Sequence, residues 1–150
     1  MFPPETAHYL SLNALKTLSF LHFKEARPIV SDNIEILGLD FQNRLGLAAG
    51  MDKNADYINS LSYLGFGFLE LGTLTPRAQS GNIKPRLFRL RDERSLINNM
   101  GFNNKGIEHA VLKIKNSMSK AVIGLSIGKN QETPLEKALE DYLFCLEEAY

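Results

Sequence analysis

The sequence predicts an α/β fold in which a parallel sheet is covered by helices. Short apolar runs typical of buried strands recur at residues 44–50, 66–73 and 121–128. A stretch with helical periodicity follows each run, and parallel neighbouring strands need a crossover of about that length. The composition, with 44% hydrophobic and 23% charged residues in a chain of 150, is that of an ordinary globular domain.

The first predicted element is a helix over residues 3–23, opened by Pro3 and Pro4. Its apolar face is unusually wide and has basic side chains at its polar edge. The apolar residues are Ala7, Leu10, Ala14, Leu18 and Leu21, with Tyr9, Leu12, Leu15, Phe20 and Phe23, and the basic residues are Lys16, Lys24 and Arg27. Such a helix either packs on the core alone, or buries one side and offers the other to lipid or an apolar ligand. The stretch itself leaves both interpretations open.

Shorter elements follow this helix. Apolar residues alternate on either side of Gly38 and predict a short hairpin. After the first strand, a helix is predicted over residues 54–64 because its apolar residues share one face and Gly65 ends it. Two short extended segments, 87–90 and 96–98, lie in a long connection rich in Pro, Gly and Arg.

Two further helices complete three strand–helix units. One is predicted over residues 105–118, and the other over 133–150, where Thr133-Pro134-Leu135-Glu136 fits a capping box with proline at the first helical position. A barrel of eight such units takes roughly 250 residues. We therefore expect the N-terminal part of a (β/α)8 TIM barrel, truncated before the fourth strand, with residues 1–30 as a short helical segment and 31–150 as the first part of the barrel.

Charge and motif content exclude several function classes. The 17 basic and 17 acidic residues cancel, so the basic surplus that nucleic-acid binding uses is missing. The lone Cys145 forms neither an internal disulfide nor a CxxC clamp, the three histidines are scattered, and no metal site is expected. No apolar run is long enough to cross a membrane, although surface contact with one stays open. Gly128-Lys129-Asn130 resembles a phosphate loop only superficially, because the upstream glycine is missing.

Ligand-binding groups of parallel α/β folds lie at the C-terminal ends of strands, so the residues after each apolar run are candidates. After the first strand, small residues let a flat or phosphorylated ligand approach the backbone, although packing is the alternative. Lys53 favours a ligand there, since a strand end is a costly place for an unused charge. After the second strand, Thr73 and Thr75 suit an oxygen-rich ligand or cap a turn. The asparagines of residues 97–104 offer amide donors and acceptors to a planar polar molecule, with a plain turn as the alternative.

Four segments carry motifs that occur together in one enzyme family: GLAAGMDKN (46–54), GFGFLELGTLTPRAQSGNIKPRLFRL (65–90), LINNMGFNNKG (96–106) and IGKN (127–130). Taken together they closely resemble dihydroorotate dehydrogenases of the membrane-associated, quinone-reducing class. PPETAHYL (3–10) is similar to the extra N-terminal segment of that class. The resemblance implies an FMN enzyme of de novo pyrimidine (UMP) biosynthesis. Such an enzyme oxidises (S)-dihydroorotate to orotate and passes the electrons to ubiquinone or menaquinone, at the cytoplasmic face of the inner membrane as a peripheral protein.

The resemblance also implies roles for individual residues. The cofactor-binding residues would be Ala49, Gly50, Met51, Asp52, Lys53, Thr73 and Ser126; the substrate-binding residues Lys53, Asn98, Asn99, Met100, Gly101 and Phe102; and the quinone-tunnel residues His8 and Arg89. Ser126 departs from the family, which usually has a flavin-contacting asparagine there. The general base of this class is a serine expected after residue 150, so no catalytic base is assigned within the chain.

Two alternatives stay open at this point. A soluble class 1 dihydroorotate dehydrogenase would share the barrel and FMN but use a cysteine base and lack the N-terminal helices. The predicted helix at residues 3–23 argues against this class. The chain could instead be a non-catalytic barrel fragment or a membrane-docking module, since half a barrel leaves open strand edges. The 150-residue fragment alone is expected to be inactive.

Overall fold

The computed structural model describes residues 2–22 and 32–150 of the chain. Among these residues, successive α-helices are separated by three strands or by one. In chain order they are α1 (Pro4–His22), β1 (Ile34–Ile36), β2 (Leu39–Phe41), β3 (Gly46–Leu47), α2 (Ile58–Ser62), β4 (Phe68–Leu74), β5 (Leu87–Leu90), β6 (Ser95–Asn98), α3 (Ile107–Lys115), β7 (Val122–Ile127), a 3-10 turn (Leu135–Lys137) and α4 (Ala138–Ala149).

Three strands form the parallel sheet that the sequence predicts. Their order is β3–β4–β7, with Phe68 of β4 in register with Gly46 on one side and with Val122 on the other. The antiparallel pairs β1–β2 and β5–β6 are separate two-stranded hairpins, at the positions where the sequence predicts extended segments. The α/β class is therefore confirmed.

The core lies between this sheet and the helices that follow its strands. Leu69, Leu71 and Leu74 of β4 have no exposed surface. They pack in one cluster with Ile58 and Leu61 of α2 and with Ile107 and Ala110 of α3. Burial of each leucine side chain stabilises the fold by about 1.5–3 kcal/mol relative to an exposed one.

The region between β3 and α2 differs from the prediction. β3 covers only Gly46–Leu47 rather than 44–50, and α2 covers only Ile58–Ser62 rather than 54–64. Asp52 accounts for the late start of α2, because its carboxylate accepts hydrogen bonds from the backbone N–H groups of Asn54, Asp56 and Tyr57 at 3.2, 3.1 and 2.7 Å. Those bonds hold the segment as a tight turn instead of a helical one.

The predicted capping box at the last helix is wrong. Pro134 precedes the 3-10 turn with no side-chain capping hydrogen bond, and the α-helix begins only at Ala138. The Thr133 hydroxyl accepts a hydrogen bond from Arg77 at 3.5 Å, and the Thr133 carbonyl accepts one from Lys129 at 2.9 Å. The threonine is thus engaged by neighbouring loops rather than by the helix. The helix predicted at 105–118 is likewise shorter, at Ile107–Lys115.

The N-terminal helix α1 is confirmed at Pro4–His22. It packs on α2 through Leu12 and Ser19, both buried, and the Ser19 hydroxyl donates to Ser60 at 2.9 Å. Leu10 and Phe20 stay 48% and 79% exposed. The predicted residues Phe23, Lys24 and Arg27 lie outside the described part of the chain. Within the described residues, no helix is long and apolar enough to cross a bilayer.

Candidate active site

A cavity of about 410 Å³ opens at the C-terminal ends of β3 and β4. Asn82 apart, every residue lining it is among those predicted to bind cofactor or substrate. The lining residues are Ala49, Gly50, Lys53, Thr73, Asn82, Asn98, Asn99, Met100, Gly101 and Phe102. A second cavity of about 520 Å³ shares Thr73, Gly101 and Phe102 with the first and continues to Ser126 and Lys129 at the end of β7. The structure therefore brings the predicted residues Ala49 and Ser126, which are 77 positions apart in the sequence, to one edge of the sheet.

Met51 and Asp52, which are predicted to bind the cofactor, do not line either cavity. Asp52 is only 1% exposed, and its carboxylate is occupied by the turn that precedes α2. Burial raises the pKa of this carboxyl, although the hydrogen bonds from the backbone amides oppose the rise. Met51 is 40% exposed beside it. Asp52 thus organises the loop that carries Lys53, and the structure does not place it in the cavity wall.

Lys53 supplies a half-buried cation to the cavity. Burial lowers the pKa of its ammonium group, and the nearby Glu5 carboxylate opposes that effect. Its Nζ donates to the carbonyl of Gly50. Gly50 itself has a φ of +103°, and among the described residues no atom lies within 4 Å of where a Cβ would stand. The backbone at Gly50 therefore leaves open space next to a positive charge.

Two hydroxyl groups meet where the two cavities join. The Thr73 Oγ1 and Ser126 Oγ atoms are 2.9 Å apart and form a hydrogen bond between β4 and β7. The strand register shifts between Gly72 and Leu74, so Thr73 stands at an irregularity in the pairing of β4 with β7. Ser126 is thus engaged with Thr73, at the position where the resemblance implies a longer asparagine.

The residues predicted for the quinone tunnel lie on the α1 side. His8 is half-buried and lies near Lys53 and the backbone of Met51. Burial lowers the pKa of its imidazole, and the Lys53 cation lowers it further. Arg89 of β5 is exposed, and its Nη1 donates to the carbonyl of Phe2 at 2.8 Å. Both residues connect the N-terminal segment to the body of the chain.

The proximity of His8 to Lys53 predicts a coupled titration. We expect His8 in the complete protein to titrate below its ordinary value of 6.5, and we expect Lys53→Met to raise that pKa because it removes a nearby cation. In the unfolded chain His8 takes up its proton at a higher pH than in the folded protein. The neutral imidazole therefore contributes to folding stability above pH 6.5, and this contribution is lost as the pH falls through the lowered pKa. NMR titration of the His8 ring protons measures both effects. An unchanged pKa in Lys53→Met would contradict the placement of α1 over Lys53.

A buried polar network below the cavities was missed at the sequence level. Asn130 Nδ2 donates to Thr75 Oγ1 at 3.1 Å, to the Arg77 carbonyl at 2.8 Å and to Gln79 Oε1 at 3.0 Å. Its Oδ1 accepts from the Arg77 amide at 3.0 Å, and its own amide donates to Asp141 at 2.8 Å. The only signal in the sequence is an asparagine directly after a strand, which equally indicates a turn.

Removing that network should destabilise the protein. We expect Asn130→Ala to lower the free energy of unfolding by roughly 2–4 kcal/mol, because each buried group left unpaired costs about 1–3 kcal/mol. As a matched control, Asn116→Ala removes an exposed asparagine whose Nδ2 donates to the Leu112 carbonyl at 2.8 Å. The control should cost less than about 1 kcal/mol. Denaturant unfolding compares the two, and equal losses would mean that the network adds nothing.

The comparisons with known proteins agree with this arrangement. The family profile described as Dihydroorotate dehydrogenase matches residues 32–149, which include both cavities. The chain belongs to this family.

Individual relatives cover nearly the whole chain. It is 54% identical over 147 residues to a protein of Nitrosospira multiformis, and 53% identical over 150 residues to one of Teredinibacter turnerae, both named Dihydroorotate dehydrogenase (quinone). A solved dihydroorotate dehydrogenase of Eimeria tenella, in complex with ferulenol, matches 99% of the chain with a TM-score of 0.79 and 34% identity. The chain spans only 42% and 44% of the two bacterial relatives, and 41% of the Eimeria chain.

Proposed function

We propose that the complete protein is a quinone-reducing dihydroorotate dehydrogenase. It would oxidise (S)-dihydroorotate to orotate with FMN and pass the electrons to ubiquinone or menaquinone, in de novo pyrimidine biosynthesis. The observation that carries the proposal is the 410 Å³ cavity, because the segments that resemble flavin and substrate sites line it together. Residues 31–150 would form the first part of a (β/α)8 barrel whose ligands bind at the strand ends.

The residues present fit a flavin. The open space over the Gly50 backbone admits a flat ring system at close approach, and the neighbouring Ala49 adds only a methyl group to the cavity wall. Thr73 and Ser126 would offer hydroxyls to the ring edge, and Lys53 would balance negative charge on it. When bound, FMN would supply the hydride acceptor of the reaction.

The other wall of the cavity suits a pyrimidine carboxylate. Lys53 would pair with the carboxylate of dihydroorotate through a charge-assisted hydrogen bond. The Met100 backbone N–H donates to Asn98 Oδ1 at 3.0 Å, and Asn82 Nδ2 donates to Asn99 Oδ1 at 2.9 Å. Carboxamides fixed in this way match the alternating carbonyl and N–H edge of the ring at little entropic cost. Phe102 would add an apolar wall.

Proton removal from the substrate is assigned outside this chain. The resemblance implies a serine base after residue 150, so residues 1–150 would bind and orient the substrate without starting the reaction. We therefore expect the 150-residue chain by itself to be inactive.

The N-terminal segment would serve the quinone. Residues 1–30 are proposed as a peripheral membrane-associated unit on the cytoplasmic face of the inner membrane. The exposed Leu10 and Phe20 of α1 are apolar groups that insert readily into a bilayer surface. His8 of α1 and Arg89, which donates to the Phe2 carbonyl, would border the path of the quinone ring.

Steady-state kinetics of the complete protein separate the two dehydrogenase classes. We expect orotate formation with a membrane quinone and little with fumarate or NAD as acceptor, together with FMN in the purified protein. The presence of α1 favours the quinone class over class 1. Orotate formation with fumarate or NAD alone would overturn the assignment to the quinone class. A purified protein without flavin would overturn the proposal that it is a dihydroorotate dehydrogenase.

A further inference from the structure

A buried ion pair joins α1 to the connection before β5. Glu5, in the first turn of α1, accepts two hydrogen bonds from Arg86, at 3.2 Å from Nε and at 2.8 Å from Nη2. The Arg86 side chain is only 5% exposed and that of Glu5 13%. Lys84 also reaches Glu5 at 3.2 Å, but its side chain is 66% exposed. The forked contact with Arg86 is therefore the one that is shielded from water.

Arg86 uses its remaining nitrogen on the segment that lines the 410 Å³ cavity. Its Nη1 donates to the carbonyls of Ser80 at 2.6 Å, Asn82 at 3.0 Å and Met100 at 3.5 Å. The Met100 carbonyl also accepts from the Asn82 amide at 3.0 Å, and the Asn99 amide donates to the Arg86 carbonyl at 2.9 Å. One guanidinium thus spans from the N-terminal helix to the cavity wall.

The Arg86 guanidinium is tightly packed against the backbone of its neighbours. A Cβ added at Gly81 would stand 2.2 Å from the Met100 carbonyl and 2.9 Å from Arg86 Nη1. A buried cation without its anion is strongly destabilised, so loss of the Glu5 charge should move Arg86 toward water. The Met100 carbonyl would then lose a donor, and residues 98–102 would lose their fixed position.

We propose that Glu5 is a positioning residue for the substrate: through Arg86 it fixes residues 98–102, although it lies outside the cavity that they line. The inference rests on the proposed function in taking that cavity as the dihydroorotate site. It means that α1 acts on the substrate side of the enzyme as well as on the quinone side.

The test compares Glu5→Gln with Lys84→Gln in the complete FMN-loaded protein. Glu5→Gln keeps the shape and removes the charge, so orotate affinity should fall roughly tenfold and the KM for dihydroorotate should rise accordingly. The KM for quinone should stay within twofold. Lys84→Gln, which removes only the exposed contact, should leave both KM values within twofold of wild type.

Hydrogen exchange supplies a readout that does not depend on turnover. In Glu5→Gln the amides of Asn82, Asn99 and Met100 should exchange faster, while those of β4 keep their protection. A merely structural anchor for α1 would instead lower the melting temperature and raise the KM for quinone. If Glu5→Gln does not fold, Glu5→Asp, which keeps the charge on a shorter side chain, should give the same changes in smaller measure.

The failures of the two proposals are distinguishable. The role of Glu5 alone is overturned if the wild-type protein contains FMN and binds orotate, and the Glu5 variants bind orotate within twofold of it and show wild-type exchange at the amides of Asn82, Asn99 and Met100. Wild-type protein that neither holds FMN nor binds orotate would overturn the proposed function. The exchange of Asn82, Asn99 and Met100 would in that case still decide whether Glu5 fixes the segment.

Discussion

Replacing Lys53 by methionine is expected to reduce dihydroorotate turnover and orotate affinity by about ten- to a hundredfold, since a charge-assisted contact is worth roughly 1.5–3 kcal/mol. The lysine is half-buried in the cavity, with the small residues Ala49 and Gly50 on one side and the segment 98–102 on the other. Methionine retains most of the volume and removes the cation. Both the substrate carboxylate and the electron-rich reduced flavin would lose their positive partner.

Lys120→Met provides the matched control, because Lys120 is an exposed lysine before β7. Orotate binding and steady-state turnover should be measured on both variants, with the FMN content of each recorded. We expect the control to behave as wild type. Lys53→Met protein whose turnover and orotate affinity both stay within twofold of wild type would rule out Lys53 as a ligand of the substrate.

Replacing Gly72 by alanine is expected to destabilise the fold by more than about 3 kcal/mol, because backbone strain and overpacking add. Gly72 has a φ of +117°, in the region that side chains rarely adopt. A Cβ there would stand 2.5 Å from the Ser126 carbonyl and 2.9 Å from the Leu74 amide nitrogen, which are both backbone atoms. The strands β4 and β7 would have to separate directly below the cavities.

Gly124→Ala on the adjacent strand is the control for this substitution. Its Cβ would meet only the Glu70 Cγ atom, at 4.0 Å. We expect the control to unfold within about 1 kcal/mol of wild type in a denaturant titration, because it fills space without a clash. A Gly72→Ala protein as stable as Gly124→Ala would show that β4 and β7 are not packed as described.

That the site residues lie close together could be predicted, because parallel strands all end at the same edge of the sheet. Lys53, Thr73 and Ser126 each follow or close an apolar run, and the sheet topology alone then brings them together. The helix α1 and the hairpin β1–β2 were equally accessible, since the first depends on local periodicity and prolines at its start, and the second on alternation around Gly38.

The contacts that hold the site in place could not be predicted. Glu5 and Arg86 are 81 residues apart, and Asn130 and Arg77 are 53 apart, so nothing in the local pattern links them. The turn at Asp52 was missed for a different reason. Periodicity indicated a helix there, and a single carboxylate bonded to three backbone amides outweighs that propensity.

A crystal structure of the complete protein, soaked with orotate and carrying its flavin, would show whether both ligands share this cavity. We expect the flavin ring over the Gly50 backbone, with orotate beside it, its carboxylate on Lys53 Nζ and its ring edge on the carboxamides of Asn98 and Asn99. Orotate or flavin bound at another edge of the sheet, with the 410 Å³ cavity empty of both, would contradict it.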